Sequence, residues 1–191
     1  LWATAAQTNS SIDRRDLTID TNADLIVTGD YIGIATFGST VLPASGTSSL
    51  YVAKLNSTGK TWLWAISAIG TNNVVGFSLD TDSNNNIYVA GAFQGTVTMG
   101  SSTLTSSPIN NFNAFIGKLT PLGTWIWAVQ AVGTSSSQAL KVDSSSNVFV
   151  TGSFTGTVTF GPQTLTSTGS QDVFLSKLDT NGNWMWTLSG G

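Results

Sequence analysis

The chain contains no cysteine, no histidine and no glutamate, so its 10 acidic side chains are all aspartate. These absences exclude whole classes of chemistry. A His/Cys zinc centre, a thiol nucleophile, a Ser-His-Asp triad, a histidine or thiolate haem ligand and a disulfide all need residues that are missing. Charge is scarce as well: 9% of residues are charged, against about 25% in an average globular domain. Seven scattered Lys and Arg, a net charge of −3 and a pI near 4.4 leave no basic stripe, which argues against nucleic acid and against an anionic membrane surface. No apolar run approaches the roughly 18 residues of a membrane span, so membrane insertion is not expected. No stretch reads as a signal peptide. The chain opens at Leu1 and not Met, read as a cut or a processed end.

What is present is apolar, aromatic and neutral-polar. Of 191 residues 40% are hydrophobic, and seven are Trp. That suffices for a packed core and excludes global disorder. Ser, Thr, Asn and Gly replace the missing charge and keep the surface wet through neutral hydrogen-bonding groups. This composition favours an extracellular, cell-surface or virion-surface location. Asn9-Ser10-Ser11 and Asn56-Ser57-Thr58 have the form of glycosylation sequons.

The strongest signal is internal repetition. Trp62-Leu63-Trp64 recurs as Trp125-Ile126-Trp127 and Trp184-Met185-Trp186, and Leu1-Trp2-Ala3 matches Leu63-Trp64-Ala65. Gly29, Gly91 and Gly152 follow apolar stretches, and Asp20, Asp80 and Asp143 precede them. Lys54-Leu55, Lys118-Leu119 and Lys177-Leu178 follow further apolar pairs. The period is about 60 residues. It divides the chain into a terminal strand at 1–11, belonging to a preceding or neighbouring unit, and repeats at 12–72, 73–134 and 135–191.

Within the second repeat, Gly76 to Asp80, Ile87 to Phe93, Ala114 to Leu119 and Trp125 to Val132 read as strands. Asp82-Ser83-Asn84-Asn85-Asn86 and Pro121-Leu122-Gly123 read as turns. Gly95 to Ser107 alternates Thr with apolar residues about a Gly-Ser pair and predicts a small hairpin or an extended loop. In the third repeat Asn181-Gly182 supplies a hairpin turn. No segment has sustained helical periodicity. The expected fold is all-β: tandem four-stranded antiparallel blades, propeller-like, with a spare N-terminal strand.

Asn147-Val148-Phe149-Val150-Thr151-Gly152-Ser153-Phe154, Gly156-Thr157-Val158-Thr159-Phe160-Gly161, and Asp172 to Asp179 followed by Asn183-Trp184-Met185-Trp186 together resemble the bacterial SBBP-type beta-propeller repeats. More distantly, the turn and Trp phrase is similar to quinoprotein-type repeats. The resemblance covers almost the whole chain. It implies a blade architecture and extracellular binding, surface or scaffold roles more than an activity. Three units are fewer than the four to eight that close a ring.

Three residue sets are candidates for function. The paired Trp (62 with 64, 125 with 127, 184 with 186), taken as two apart on one strand, are expected to share a face. They would serve as blade-to-blade packing or as stacking platforms for sugar rings. Asp80, Asp82 and Asn84 alternate oxygen ligands as calcium loops do, with ordinary Asx turns as the competing reading. Asp20, Asp80 and Asp143 could pair with Lys54, Lys118 and Lys177 inside each blade, or both sets could be solvated strand-end charges. No catalytic residue and no cofactor is expected. Open end faces predict that the chain is not a free monomer. Its partners would be further repeats or copies of itself, through the end faces and residues 1–11, with glycans as a further possibility. The functional expectation is a non-enzymatic structural or interaction module, with a carbohydrate-binding propeller or a non-catalytic slice of a propeller enzyme as alternatives.

Overall fold

The structure, a computed structural model, describes residues 5–191. Its first strand, β1 (Ala6–Thr8), precedes three units of seven, six and six strands. The first unit holds β2 (Ser11–Ile19), β3 (Leu25–Ile32), β4 (Ala35–Phe37), β5 (Thr40–Leu42), β6 (Ser49–Leu55), β7 (Trp62–Ser67) and β8 (Ile69–Gly70). The second holds β9 (Val74–Thr81), β10 (Ile87–Phe93), β11 (Thr96–Met99), β12 (Ser102–Thr105), β13 (Asn113–Leu119) and β14 (Trp125–Val132). The third holds β15 (Ser135–Val142), β16 (Val148–Phe154), β17 (Thr157–Phe160), β18 (Gln163–Thr166), β19 (Asp172–Leu178) and β20 (Trp184–Gly190). There is no helix among the described residues.

Each unit is an antiparallel four-stranded blade: β2-β3-β6-β7, β9-β10-β13-β14 and β15-β16-β19-β20. The fold is all-β and propeller-like, as the strand pattern predicts. The Gly-Ser excursion is a hairpin in every unit (β4-β5, β11-β12, β17-β18). Each hairpin leaves its own blade and pairs with the end of the preceding unit's last strand. Val97 of β11 opposes Gly70 of β8, and Phe160 of β17 opposes Ala131 of β14.

The segment before the first blade follows the same rule. Ala6, Gln7 and Thr8 oppose Phe37, Thr36 and Ala35 of β4. Thus β1 stands to the first hairpin as β8 stands to the second. Within the segment 1–11, read as a terminal strand of a preceding or neighbouring unit, residues 6–8 pair with the first hairpin, and β2 already begins at Ser11. The Leu1-Trp2-Ala3 match lies outside the described residues.

Turn chemistry fixes the connections. Asp20, Asp82 and Asp143 each open a tight turn, and the fourth residue of each turn (Ala23, Asn85 and Ser146) has φ near +60°. In all three turns one carboxylate oxygen accepts the backbone N–H groups two and four residues on. A carboxylate that replaces the missing strand-end partners in this way stabilises the left-handed residue it encloses. Asp179 makes the same arrangement with Asn181 and Asn183 in the last turn of the third blade.

The cores lie between blades. One joins Ile26, Leu50 and Val52 of the first blade to Leu79, Val89 and Phe115 of the second. The next joins Tyr88, Ala90 and Ile116 of the second to Leu140, Val150 and Phe174 of the third. Because alternate strand residues point to opposite faces, β10 and β13 are buried along their whole length. In the third blade the alternation reappears, and β19 reads buried-exposed-buried-exposed from Asp172 to Leu175.

Candidate interaction surfaces

The paired Trp do not share a face, contrary to expectation. The pairing of β6 with β7 shifts register between Lys54 and Leu55, so Trp64 opposes Lys54 while Trp62 opposes Leu55. The same shift sets Trp127 against Lys118 and Trp125 against Leu119, and Trp186 against Lys177 and Trp184 against Leu178. Leu63, Ile126 and Met185 are the extra residues, and all three are exposed. An added residue breaks the two-residue period. Each pair therefore straddles its sheet. Trp125 packs into the core behind the second blade, and Trp127 into the core ahead of it.

The forward indoles clasp the next blade. Trp64 donates its Nε1–H to the Pro121 carbonyl at 3.2 Å, and Trp127 donates to the Thr180 carbonyl at 3.2 Å. Both acceptors sit in the turn before the next blade's last strand. Gly123 (φ +80°) and Gly182 (φ +83°) bring the backbone onto the rings, where an added Cβ would lie 2.9 Å from Trp64 and 3.0 Å from Trp127. The rear indoles stack within their blades: Trp62 meets Phe37 edge-on at 5.0 Å and Trp184 meets Phe160 at 5.4 Å.

The first strands of neighbouring blades are also linked. Asp16 accepts the Leu79 N–H and the Ser78 hydroxyl, each at 2.9 Å, and Ser78 Oγ accepts the Leu140 N–H at 3.2 Å. Asp80 accepts the Val142 N–H at 3.1 Å and lies 3.3 Å from the Lys141 ammonium. Asp80 therefore lies on a strand and joins two blades. The residue matching Asp20 and Asp143 is Asp82, which corrects the grouping of Asp80 with them. Asp80 and Asp82 lie two residues apart, so the repeat's Asp position has two candidates in the second unit.

The Lys and Asp sets pair in two of three blades. Lys54 meets Asp20 at 2.6 Å with both side chains buried, and Asp24 lies 3.3 Å away. Burial would raise the Asp20 carboxyl, but the Lys54 ammonium and the Asp24 and Asn22 backbone N–H groups outweigh it and hold it below the usual range. Lys177 reaches Asp143 at 3.9 Å on a more open surface. Lys118 departs: it donates to the Thr180 hydroxyl at 2.9 Å in the next blade and lies over the Tyr88 ring at 4.9 Å. The Tyr88 hydroxyl donates to Asp82 at 3.1 Å instead.

The suggested calcium ligands are committed elsewhere. Asp82 accepts from Asn84, Asn86 and Tyr88, and Asp80 faces the third blade. Burial would raise the Asp82 carboxyl, but its Asn86, Asn84 and Tyr88 donors hold it low. Among the described residues, no three Asp converge as a cation site would require.

The molecule ends in two faces that have covered counterparts inside it. Leu17 is 58% exposed, whereas Leu79 and Leu140 at the same place in the next blades are 1% and 3% exposed. At the other end Val173 and Leu175 are 56% and 43% exposed, whereas Ala114 and Ile116 are fully buried. A groove of about 310 Å³ lies behind the first blade, lined by Ile12, Val27, Tyr51 and Trp62 among others. A second, of about 340 Å³, is lined by Asp16 of the first blade and Ser78 of the second as well as by Leu140, Phe149 and Leu175 of the third, so it opens along the inner strands and not on one end face alone. Sequence reasoning located neither Leu17 nor Leu175. Their equivalence to Leu79 and Ile116 within the repeat was the available signal.

No family model matches the chain. An uncharacterized WD repeat-containing protein of Acanthamoeba polyphaga mimivirus is 31% identical over 155 residues, an alignment covering 72% of this chain and 11% of that protein. The chain thus spans about a tenth of the curated relative it matches. The similarity agrees with the observed geometry: the chain is built of propeller-type repeats.

Proposed function

We propose that this chain is a non-enzymatic structural or interaction module that assembles through its blade faces and terminal strands. The observation that carries the reading is the contrast between equivalent residues. Leu17 and Leu175 stand in water where Leu79 and Ile116 are sealed by a neighbouring blade. Exposed apolar side chains on both end blades favour association. The working contacts of the repeat, an indole on a turn carbonyl and a side-chain acceptor on a strand N–H, are positioning contacts between blades. None of them groups an acid, a base and a nucleophile around a cleft, as catalysis would need.

The finer assignment is an SBBP-type repeat on the exterior of a cell or particle. The phrase Gly156 to Gly161 and the Trp-x-Trp strand starts support the repeat type. The low charge and the Ser, Thr and Asn surface support the location. Biolayer interferometry of the chain against immobilised chain tests the assembly reading. Concentration-dependent binding is expected, weakened about tenfold by Leu175→Asp; no binding, or binding indifferent to Leu175→Asp, contradicts it. Immunogold labelling of unpermeabilised cells or particles tests the location.

A further inference from the structure

We infer that the rim of the boundary between the second and third blades holds a binding site for a single neutral sugar ring. This goes beyond the assembly reading and does not rest on it, because the boundary lies inside the chain and needs no second copy.

The two internal boundaries share one backbone frame. Val74 opposes Phe93 in the second blade as Ser135 opposes Phe154 in the third. Beyond each pair the same bond follows: the Gln94 N–H donates to the Asn73 carbonyl at 2.8 Å, and the Thr155 N–H to the Thr134 carbonyl at 3.0 Å. The side chains on that frame differ. Asn73 Nδ2 donates to Gln94 Oε1 at 2.6 Å and Gln94 Nε2 donates to the Asn110 carbonyl at 2.7 Å, so two carboxamides span the rim of the second blade. Thr134 and Thr155 stand there in the third blade and turn to other partners. Thr134 accepts from Asn111 at 2.8 Å, and Thr155 donates to the Ser170 carbonyl at 3.0 Å. Val74, Val75 and Ala92 of the second blade are matched by Ser135, Ser136 and Ser153 of the third. These smaller, hydroxyl-bearing side chains line a notch of about 200 Å³.

The lining selects the ligand. Phe112 forms one wall and is 36% exposed. Its carbonyl accepts the Ser135 N–H at 2.9 Å, and its neighbour Asn111 is tied to Thr134, so the ring is in place before a ligand arrives. Opposite it stand Ser and Thr hydroxyls and the Gln171 carboxamide, which donates to Ser153 Oγ at 3.1 Å. Among the described residues no charged side chain lines the notch. A pyranose matches this arrangement. The C–H groups of one sugar face suit the electron-rich face of an aromatic ring, and its hydroxyls donate and accept as Ser, Thr and Gln do. An ion would find no counter-charge here, and a wholly apolar ligand would leave the hydroxyls unpaired. The volume is below the roughly 300 Å³ at which drug-sized pockets begin, which suits one ring. Asn73, Gln94 and Phe112 keep contact with solvent although the third blade is stacked on the second, so this rim stands clear of the faces through which blades pack.

Proton–nitrogen NMR of the folded chain, titrated with methyl α-mannopyranoside, methyl β-glucopyranoside and methyl β-galactopyranoside, tests the site. Millimolar binding of at least one glycoside is expected, with shifts at Ser135, Ser136, Ser153 and Thr155. Phe112→Ala should weaken it at least about tenfold. Thr134→Asn combined with Thr155→Gln rebuilds the carboxamide bridge of the second blade and should abolish binding, with circular dichroism checking the fold. If the double variant unfolds, Phe112→Ala decides. Binding of none of the three, shifts centred on other residues, binding indifferent to Phe112→Ala, or tighter binding of adenosine than of any glycoside overturns the inference. None of these variants alters Leu17 or Leu175, so the assembly reading stands or falls separately by its own binding measurement.

Discussion

The Trp64 indole N–H points at the Pro121 carbonyl 3.2 Å away, across the boundary between two blades. Trp127 repeats this with Thr180. Both contacts depend on a glycine with positive φ lying flat on the ring, and that combination yields a first prediction. Gly123→Ala and Gly182→Ala should each cost about 1–3 kcal/mol, since the added Cβ meets the ring and the left-handed backbone disfavours it. Urea unfolding measures the loss.

Leu79 and Leu17 occupy one repeat position under opposite conditions. Leu79→Ala should cost about 2–5 kcal/mol in urea unfolding, because it empties part of a sealed core. Leu17→Ala should cost less than about 0.5 kcal/mol in the dilute chain, because its side chain already lies in water.

Lys54 and Lys177 also occupy one position. Lys54→Met should destabilise by about 3–5 kcal/mol, since it leaves the buried Asp20 carboxylate without its cation, and should raise the Asp20 pKa in an NMR titration. Lys177→Met should cost less than about 1 kcal/mol, since its partner lies 3.9 Å away at a part-exposed site.

Stability should be flat across neutral pH, because the chain has no histidine. Asp20, Asp82, Asp143 and Asp179 are held below the ordinary carboxylate range, the first two against the effect of burial: Asp20 by the Lys54 ammonium and then by its turn N–H groups, the other three by hydrogen bonds led by those from Asn86, Asn147 and Asn183. A depressed folded pKa contributes stability that is present above about pH 4 and is lost as pH falls through the folded values. Tyr51 has the opposite sign: burial pushes its hydroxyl up to about 12. Its contribution is complete below about pH 10 and is lost as pH rises from there towards the folded value. Thermal melts from pH 2 to pH 12 check both limbs.

The blades were legible because their strands alternate and their turns carry Asp, Asn and Gly at fixed offsets. The faces of the Trp pairs were not. A bulge at Leu63, Ile126 or Met185 leaves no mark in composition, and a two-residue spacing reads as one face until pairing is known. Asp80 misled for a related reason, since Asp82 two residues on carries the turn. The hairpin of each repeat was visible, but its pairing with the previous unit was not. That pairing is a relation between repeats, and only β1, β8 and the end of β14 taken together reveal it.

Covalent trapping bears most directly on the two open faces, because the chain has no cysteine to interfere. Leu17→Cys and Leu175→Cys correspond to Leu79 and Val52, which share one core across a blade boundary. Mixed under mild oxidation at high protein concentration, the two variants should give a Leu17→Cys/Leu175→Cys heterodimer well in excess of either homodimer. Homodimers alone, or the three dimers in statistical proportion, would contradict assembly through these two blade faces.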